Sequence, residues 1–383
     1  MRHERQVALL KRVADSGERH VGLFGTHSLV QPSSTYTDGD RFGREQRVLF
    51  RDGPVLMGLT SECAQPGSYL TGTFGGVPIA VVRQTDGSLR AMVNACRHRG
   101  APVLAGRGEG LRRMSCPYHA WTYELDGALH SRPLADGAFD DVTIDCGLHA
   151  VAVAERYGLI FVRAGSTEPI DVEHFLGGAA DDLESFDLAA SVHVETRVSE
   201  WEMNWKLVLD TFTESYHIRT LHRESLFPTF DSTCSIFESF GSHLLNVGFR
   251  KDIHDELAKP EAEQSLLPYG TVQYFLLPSA MLCHQVDHLE LWRFEPIDVR
   301  HTRVSTTVLA NTGPLTARTD RYLRKNLDVL LEVTGQEDFP LMEQIQRNLD
   351  SGALPAVVYG RIEPALVHLH ESIDAALAAG HLG

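Results

Sequence analysis

Two cysteine–histidine pairs stand close together in the chain: Cys96-x-His98 and, after 17 intervening residues, Cys116-x-x-His119. Thiolates and imidazoles in this mixture bind zinc or a [2Fe–2S] cluster. In a two-histidine (Rieske) cluster the cysteines hold one iron and the histidines the other. Imidazole in place of thiolate raises the reduction potential by several hundred millivolts. Such a centre takes electrons from a low-potential donor and passes them to an oxygen-activating iron. Zinc is the structural alternative, although its pairs are usually spaced C-x2-C or H-x3–5-H. The short Cys-x-His span suits ligands on adjacent irons. Gly100, Pro102 and Pro117 predict tight loops whose backbone N–H groups can face the sulfurs.

A second constellation runs from Asn204 to His222, NWKLVLDTFTESYHIRTLH. Asp210, Glu214 and His217 fall at i, i+4 and i+7, one stripe of a long helix beginning near Trp205. Trp205, Val208, Leu209, Phe212 and Tyr216 make the opposing apolar stripe. Asp210 and Glu214 are the candidate catalytic carboxylates. An amphipathic helix with a solvated acidic face accounts for the same pattern. His222 lies about 140° further round an ideal helix than His217. The two meet on one metal only where the helix ends or distorts. Two histidines and a distant carboxylate form the facial triad of non-haem Fe(II) oxygenases, which leaves positions open for O2.

The elements around these motifs divide into three stretches. Residues 1–38 read as a helix followed by a polar loop. Residues 39–165 read as short strands broken by Asp-Gly and Gly-Gly turns. Residues 166–383 combine strands at about 233–250, 271–283, 287–297 and 302–311 with helical periodicity at about 314–350 and 362–380. Strands and helices without βαβ alternation predict an α+β fold on an antiparallel sheet. The formal charge of −16 argues against nucleic acid or an anionic membrane as partner. No apolar run approaches a membrane span, and the charged start is unlike a signal peptide, so a cytoplasmic protein is expected. Six cysteines are too few for a disulfide framework; Cys63, Cys146, Cys234 and Cys283 read as buried hydrophobes.

The two motifs together resemble the α subunits of Rieske non-haem iron oxygenases, which include ring-hydroxylating dioxygenases, monooxygenases and demethylases. The likeness spans about residues 39–350 and rests on Cys96-Arg97-His98-Arg99-Gly100, Cys116-Pro117-Tyr118-His119, Asn204-Trp205-Lys206 and Glu214-x-x-His217-x4-His222. It implies a Rieske β-sandwich (39–165) joined to a helix-grip catalytic domain (166–383), in a homotrimer with or without a β subunit. Cys96, His98, Cys116 and His119 then hold the cluster, and His217 and His222 the mononuclear Fe(II). Glu214 bridges the iron site to the neighbouring subunit's cluster. Many ring dioxygenases have aspartate there, and glutamate looks more like the carnitine- and betaine-type monooxygenases. The third iron ligand in that family is an aspartate opening a late helix, within a Glu-Asp or Gln-Asp pair upstream of a glutamine, which selects Asp338 in Gln336-Glu337-Asp338, with Asp350 as second candidate. An N-cap or first-turn acid, with Pro340 just inside the helix start, is the alternative reading of Asp338.

The resemblance implies electrons from NAD(P)H through a separate reductase, with or without a ferredoxin. No Gly-rich nucleotide loop follows a strand here. The resemblance also implies a small organic substrate, aromatic as in hydrocarbon catabolism or quaternary-ammonium-like. Phe212, Phe227, Phe230, Tyr274 and Phe275 are pocket or core aromatics. Arg97, Arg99, Arg107, Arg112 and Arg113, against Glu109 alone, form a candidate docking patch. The alternative function is a Rieske electron carrier with a ligand-binding domain.

Overall fold

The computed structural model describes residues 1–17, 23–134, 137–311 and 313–382. The chain forms two compact units: Glu45–Phe175, and Met1–Arg44 with Leu176–His381.

The smaller unit is built on a seven-stranded antiparallel sheet in the order Val55–Leu59, Leu159–Arg163, Ala150–Arg156, Leu89–Val93, Val77–Arg83, Tyr69–Phe74 and Arg107–Gly108. The hairpin between Phe74 and Val77 closes on Gly75 and Gly76, both at positive φ, the geometry that two-residue hairpin loops require. Ile79, Val81, Met57, Ile160 and Val162 fill one core beneath this sheet. A second core around Trp121, Tyr123, Met92 and Leu148 encloses Cys96 and Cys116 beside a three-stranded sheet, Met114–Ser115, Thr122–Tyr123 and Leu129–Ser131.

The larger unit carries a seven-stranded antiparallel sheet in the order Val192–Trp201, His301–Ala310, His288–Asp298, Ala280–Gln285, Gly270–Leu276, His243–Arg250 and Phe230–Phe240. The runs expected as single strands at 233–250 and 271–283 are hairpins, bent at Gly241–Ser242 and Leu277–Ser279. Val247, Val272, Leu289 and Leu291 point to one face, where they are fully buried. The alternate residues face a cavity. Residues 1–38 are not simply helix and loop: Leu29–Pro32 pairs with Ala356–Tyr359, a partner more than 300 residues away that no local pattern reveals.

The helix expected to run from Trp205 through His217 stops at Phe212. Asn204 caps its start through Oδ1 to the Lys206 N–H (3.1 Å). Its end follows from Thr213, whose hydroxyl donates to the Asp210 carbonyl (3.2 Å) and so competes with the helical ladder. A short 3-10 turn, Tyr216–Arg219, comes next. Tyr216, assigned to the apolar stripe, is therefore exposed. Among the described residues, no helix is long and apolar enough to cross a membrane.

Candidate metal centres and the cavity between strand and helix

At the first centre two loops are built alike. The Gly100 N–H donates to the Cys96 carbonyl (2.8 Å) and the Ala120 N–H to that of Cys116 (3.0 Å), with Gly100 and Ala120 both left-handed. The two cysteines are buried, and Tyr123 Oη lies 3.2 Å from Cys96 Sγ. The His98 and His119 Nδ1 atoms are 3.1 Å apart. Trp121 stacks on the His98 ring at 5.1 Å, with Phe139 edge-on. Two imidazole nitrogens facing each other at this distance suit two ligands on one metal. Yet the four donors do not close on one point as a tetrahedral zinc site demands. Among the described residues, only His217, His222 and Asp338 bring three ligand atoms within 4.8 Å of one another. A two-iron cluster fits the split set; single zinc does not.

The arginines around these loops are less free than their sequence neighbours suggest. Arg107 reaches Glu62 (3.3 Å) and Arg113 reaches Glu124 (3.1 Å), acids brought in by folding. Arg99 lies over the Tyr118 ring (5.3 Å).

At the second centre, ending the helix early lets His217 and His222 turn toward each other. Asp338 Oδ1 lies 3.0 Å from His222 Nε2 and 3.7 Å from His217 Nε2. Asp338 sits at the end of a wide π turn, Thr334–Asp338, that joins Ala317–Val333 to Phe339–Asp350. Its side chain makes no capping bond, so it is free to face the histidines, and Thr211 Oγ1 donates to it (3.3 Å). Both histidines are backed by carboxylates. Glu214 binds His217 Nδ1 and also accepts the His217 backbone N–H (3.1 Å). Glu337 Oε2 meets His222 Nδ1 at 2.7 Å and takes the Ser225 hydroxyl at 2.9 Å. Such pairs fix each ring with Nε2 toward the metal. Burial depresses the His222 pKa, but its bonds to Asp338 and Glu337 outweigh that and raise it.

Asp350 pairs with Arg300 (2.8 Å) instead. Asp210 is also elsewhere, because the helical stripe that placed it beside Glu214 does not continue. Its carboxylate accepts from Tyr36 Oη (2.6 Å) and His370 Nε2 (2.9 Å) in a buried network that includes Tyr359 and Gln31. The role of Glu337 was not read from the sequence; the Glu-Asp pair was its only signal.

The triad opens on a cavity of about 540 Å3 between the sheet and the helix Ala317–Val333. Phe212 and Phe230 line it; Tyr274 and Phe275 are buried core, and Tyr274 bonds Asp182 (2.9 Å). Phe227 instead lies under Lys251 Nζ (3.8 Å).

Residues 188–379 match the model of the ring hydroxylating alpha subunit (catalytic domain). The chain belongs to that family. Residues 53–139 match the Rieske [2Fe-2S] domain. Glycine betaine monooxygenase oxygenase subunit from Chromohalobacter salexigens is 36% identical over 206 residues, 53% of this chain and 44% of that protein. The match therefore spans under half of that relative's length. Carnitine monooxygenase oxygenase subunit from Escherichia coli is 28% identical over 338 residues, 84% of each chain. The fold is shared with the quaternary ammonium Rieske monooxygenase CntA in complex with L-carnitine (TM-score 0.75, 24% identity, 91% of this chain and 94% of that one). It is shared too with naphthalene 1,2-dioxygenase (TM-score 0.74, 21% identity, 92% and 93%).

Proposed function

We propose that this α subunit is the oxygenase component of a Rieske system that monooxygenates a small quaternary ammonium compound. The observation that carries the substrate class is the charge of the cavity beside the triad. Apart from Glu214 and Asp338, its described lining holds two acids, Asp287 and Glu290, against one guanidinium, Arg250, which is itself paired with Asp252 (3.3 Å). An arene has no use for a buried carboxylate; a trimethylammonium group does. The glycine betaine and carnitine relatives point the same way.

In this reading Cys96, His98, Cys116 and His119 hold the cluster, and His217, His222 and Asp338 hold the iron. When bound, the cluster supplies electrons and the ferrous ion activates O2. The chain's own residues do the rest. Glu214 and Glu337 hold the two imidazoles in the ligating tautomer, and Thr211 orients Asp338. The cavity holds the substrate next to the triad and away from bulk water. Electrons come from NAD(P)H through a separate reductase in the cytoplasm. The subunits form a trimer in which Glu214 links each iron site to the partner subunit's cluster.

The test is oxygen uptake by the reconstituted system on choline, glycine betaine and L-carnitine, set against naphthalene and other arenes. Uptake coupled to product from a quaternary ammonium compound is expected, with about three irons per chain. Turnover confined to arenes overturns the substrate class. Two irons per chain and no uptake at all would favour the electron-carrier alternative.

A further inference from the structure

The antiparallel register lays two polar rows across the cavity floor. Asn246, Gln273, Cys283 and Glu290 stand side by side on four strands, and Gly248, Thr271, Gln285 and His288 form the next row. Most of these residues are uncharged and satisfied by one another: Asn246 donates to Gln273 (3.1 Å) and Thr271 to Gln285 (3.0 Å). The charge sits at one end. Glu290, 3% exposed, has Oε2 bonded to the Trp292 indole N–H (3.0 Å) and Oε1 near His288 Nε2 (3.3 Å). The other His288 nitrogen meets Asp287 Oδ1 at 2.9 Å. One imidazole thus stands between two carboxylates. With His288 charged, the wall still carries one net negative charge; with it neutral, two. Trp292 also packs on Phe212 (4.9 Å), so an aromatic ring lies beside the acid.

We propose that Glu290 is the residue that reads the cationic end of the substrate, and that His288, shared with Asp287, sets how strongly it does so. This rests on the quaternary ammonium reading above and goes beyond it, by giving that charge a place and a modulator.

The groups facing His288 from the surrounding elements are few. Asp287 lies in the adjoining turn and is held by the Tyr322 hydroxyl of the helix Ala317–Val333 (2.9 Å). Gln285 and Ala310 are its uncharged cross-strand neighbours. His284, on the neighbouring strand, is a further titratable group and is coupled to it. Burial, then the chain's amino terminus and His288, hold His284 down to about 4, so it stays neutral at working pH. Burial lowers the His288 pKa too, but bonds to Glu290 and Asp287 more than compensate, and the net shift is upward. The sign follows. Below that raised value the imidazolium shares the charge of Glu290. As pH rises through it, His288 loses its proton, the wall gains a negative charge, and a cation binds more tightly.

The experiment measures affinity of the iron-loaded holoenzyme, without oxygen, by calorimetry from about pH 6 to about pH 9. The probes are choline, glycine betaine and L-carnitine, each beside an isostere with carbon in place of the quaternary nitrogen. The wild type should prefer at least one cation over its isostere by about tenfold or more, with the preference growing as pH rises. Glu290→Gln should lower that preference by about tenfold, and His288→Gln should flatten its pH dependence. Glu290→Gln keeping the wild-type preference, with normal iron content and Rieske absorption, overturns the assignment and leaves the proposed function standing. If Glu290→Gln does not fold, His288→Gln decides, and an unchanged pH profile there overturns it. A wild type that prefers no cation overturns the substrate class itself.

Discussion

At the scale of single residues, the two histidines that face Asp338 look symmetrical but have unlike supports. Glu214 grips His217 through both its ring and its backbone, from three residues away. Glu337 grips His222 from 115 residues away and is itself steadied by Ser225. Carboxylates of this kind typically contribute 10–100-fold to metal affinity. Glu337→Gln keeps an acceptor for the Nδ1 proton but removes the charge. The expected outcome is about 10–100-fold weaker iron retention, read as iron per chain after dialysis against a chelator, with the Rieske spectrum intact. Retention equal to that of the wild type would show that Glu337 is an ordinary surface acid.

At the scale of elements, the smaller unit depends on a pairing that the strand pattern does not announce. Arg83 and Glu155 form a two-pronged ion pair (2.7 Å for each bond) that ties Val77–Arg83 to Ala150–Arg156, strands that are not neighbours in the sheet. The Arg83 side chain is 6% exposed and that of Glu155 30%. Removing one partner of a fully buried pair costs about 3–5 kcal/mol. With Glu155 partly solvated, Glu155→Gln should cost about 2–4 kcal/mol, measured as a lower urea midpoint. The hydrogen bonds from Arg83 lead burial in setting the Glu155 pKa and hold it below the usual glutamate range. The pair's contribution is therefore full above about pH 5 and is lost as pH falls through that lowered value, where wild type and variant should converge.

Elements also explain what could be read in advance. The Cys-x-His and Cys-x-x-His loops carry their own geometry within five residues, so their spacing is informative without any tertiary knowledge. The helix from Trp205 is shorter than its i, i+4, i+7 stripe predicts, because past Thr213 a hydroxyl competes for the Asp210 carbonyl. That one break separates Asp210 from Glu214 and exposes Tyr216. The polar rows of the cavity floor were unreadable for another reason. Asn246, Gln273, Gln285 and Glu290 become neighbours only through the register of four strands.

At the scale of the whole molecule, the proposed trimer makes a demand that no single chain can meet. In such a trimer, electrons would pass from the partner subunit's cluster, by way of its histidine edge, to His217. His119 is exposed on the cluster loops, whereas the Glu214 side chain is 11% exposed, with one oxygen on the His217 ring and the other on its N–H. A carboxylate so placed can hold the iron ligand and accept a proton-bearing imidazole from the neighbour at once. Glu214→Gln keeps the length and one carbonyl acceptor but loses the charge that couples the two rings. If Glu214 is only a surface acid, the substitution should matter by less than about half a kcal/mol. If it is the bridge, dithionite should still bleach the cluster, and the iron, held more weakly without the carboxylate, is brought back to full occupancy with excess ferrous ion before assay. Steady-state turnover with the native reductase should nonetheless fall by about a hundredfold or more, equivalent to about 2.7 kcal/mol of barrier. Near-normal turnover in a fully metallated Glu214→Gln protein would mean that electrons take another path.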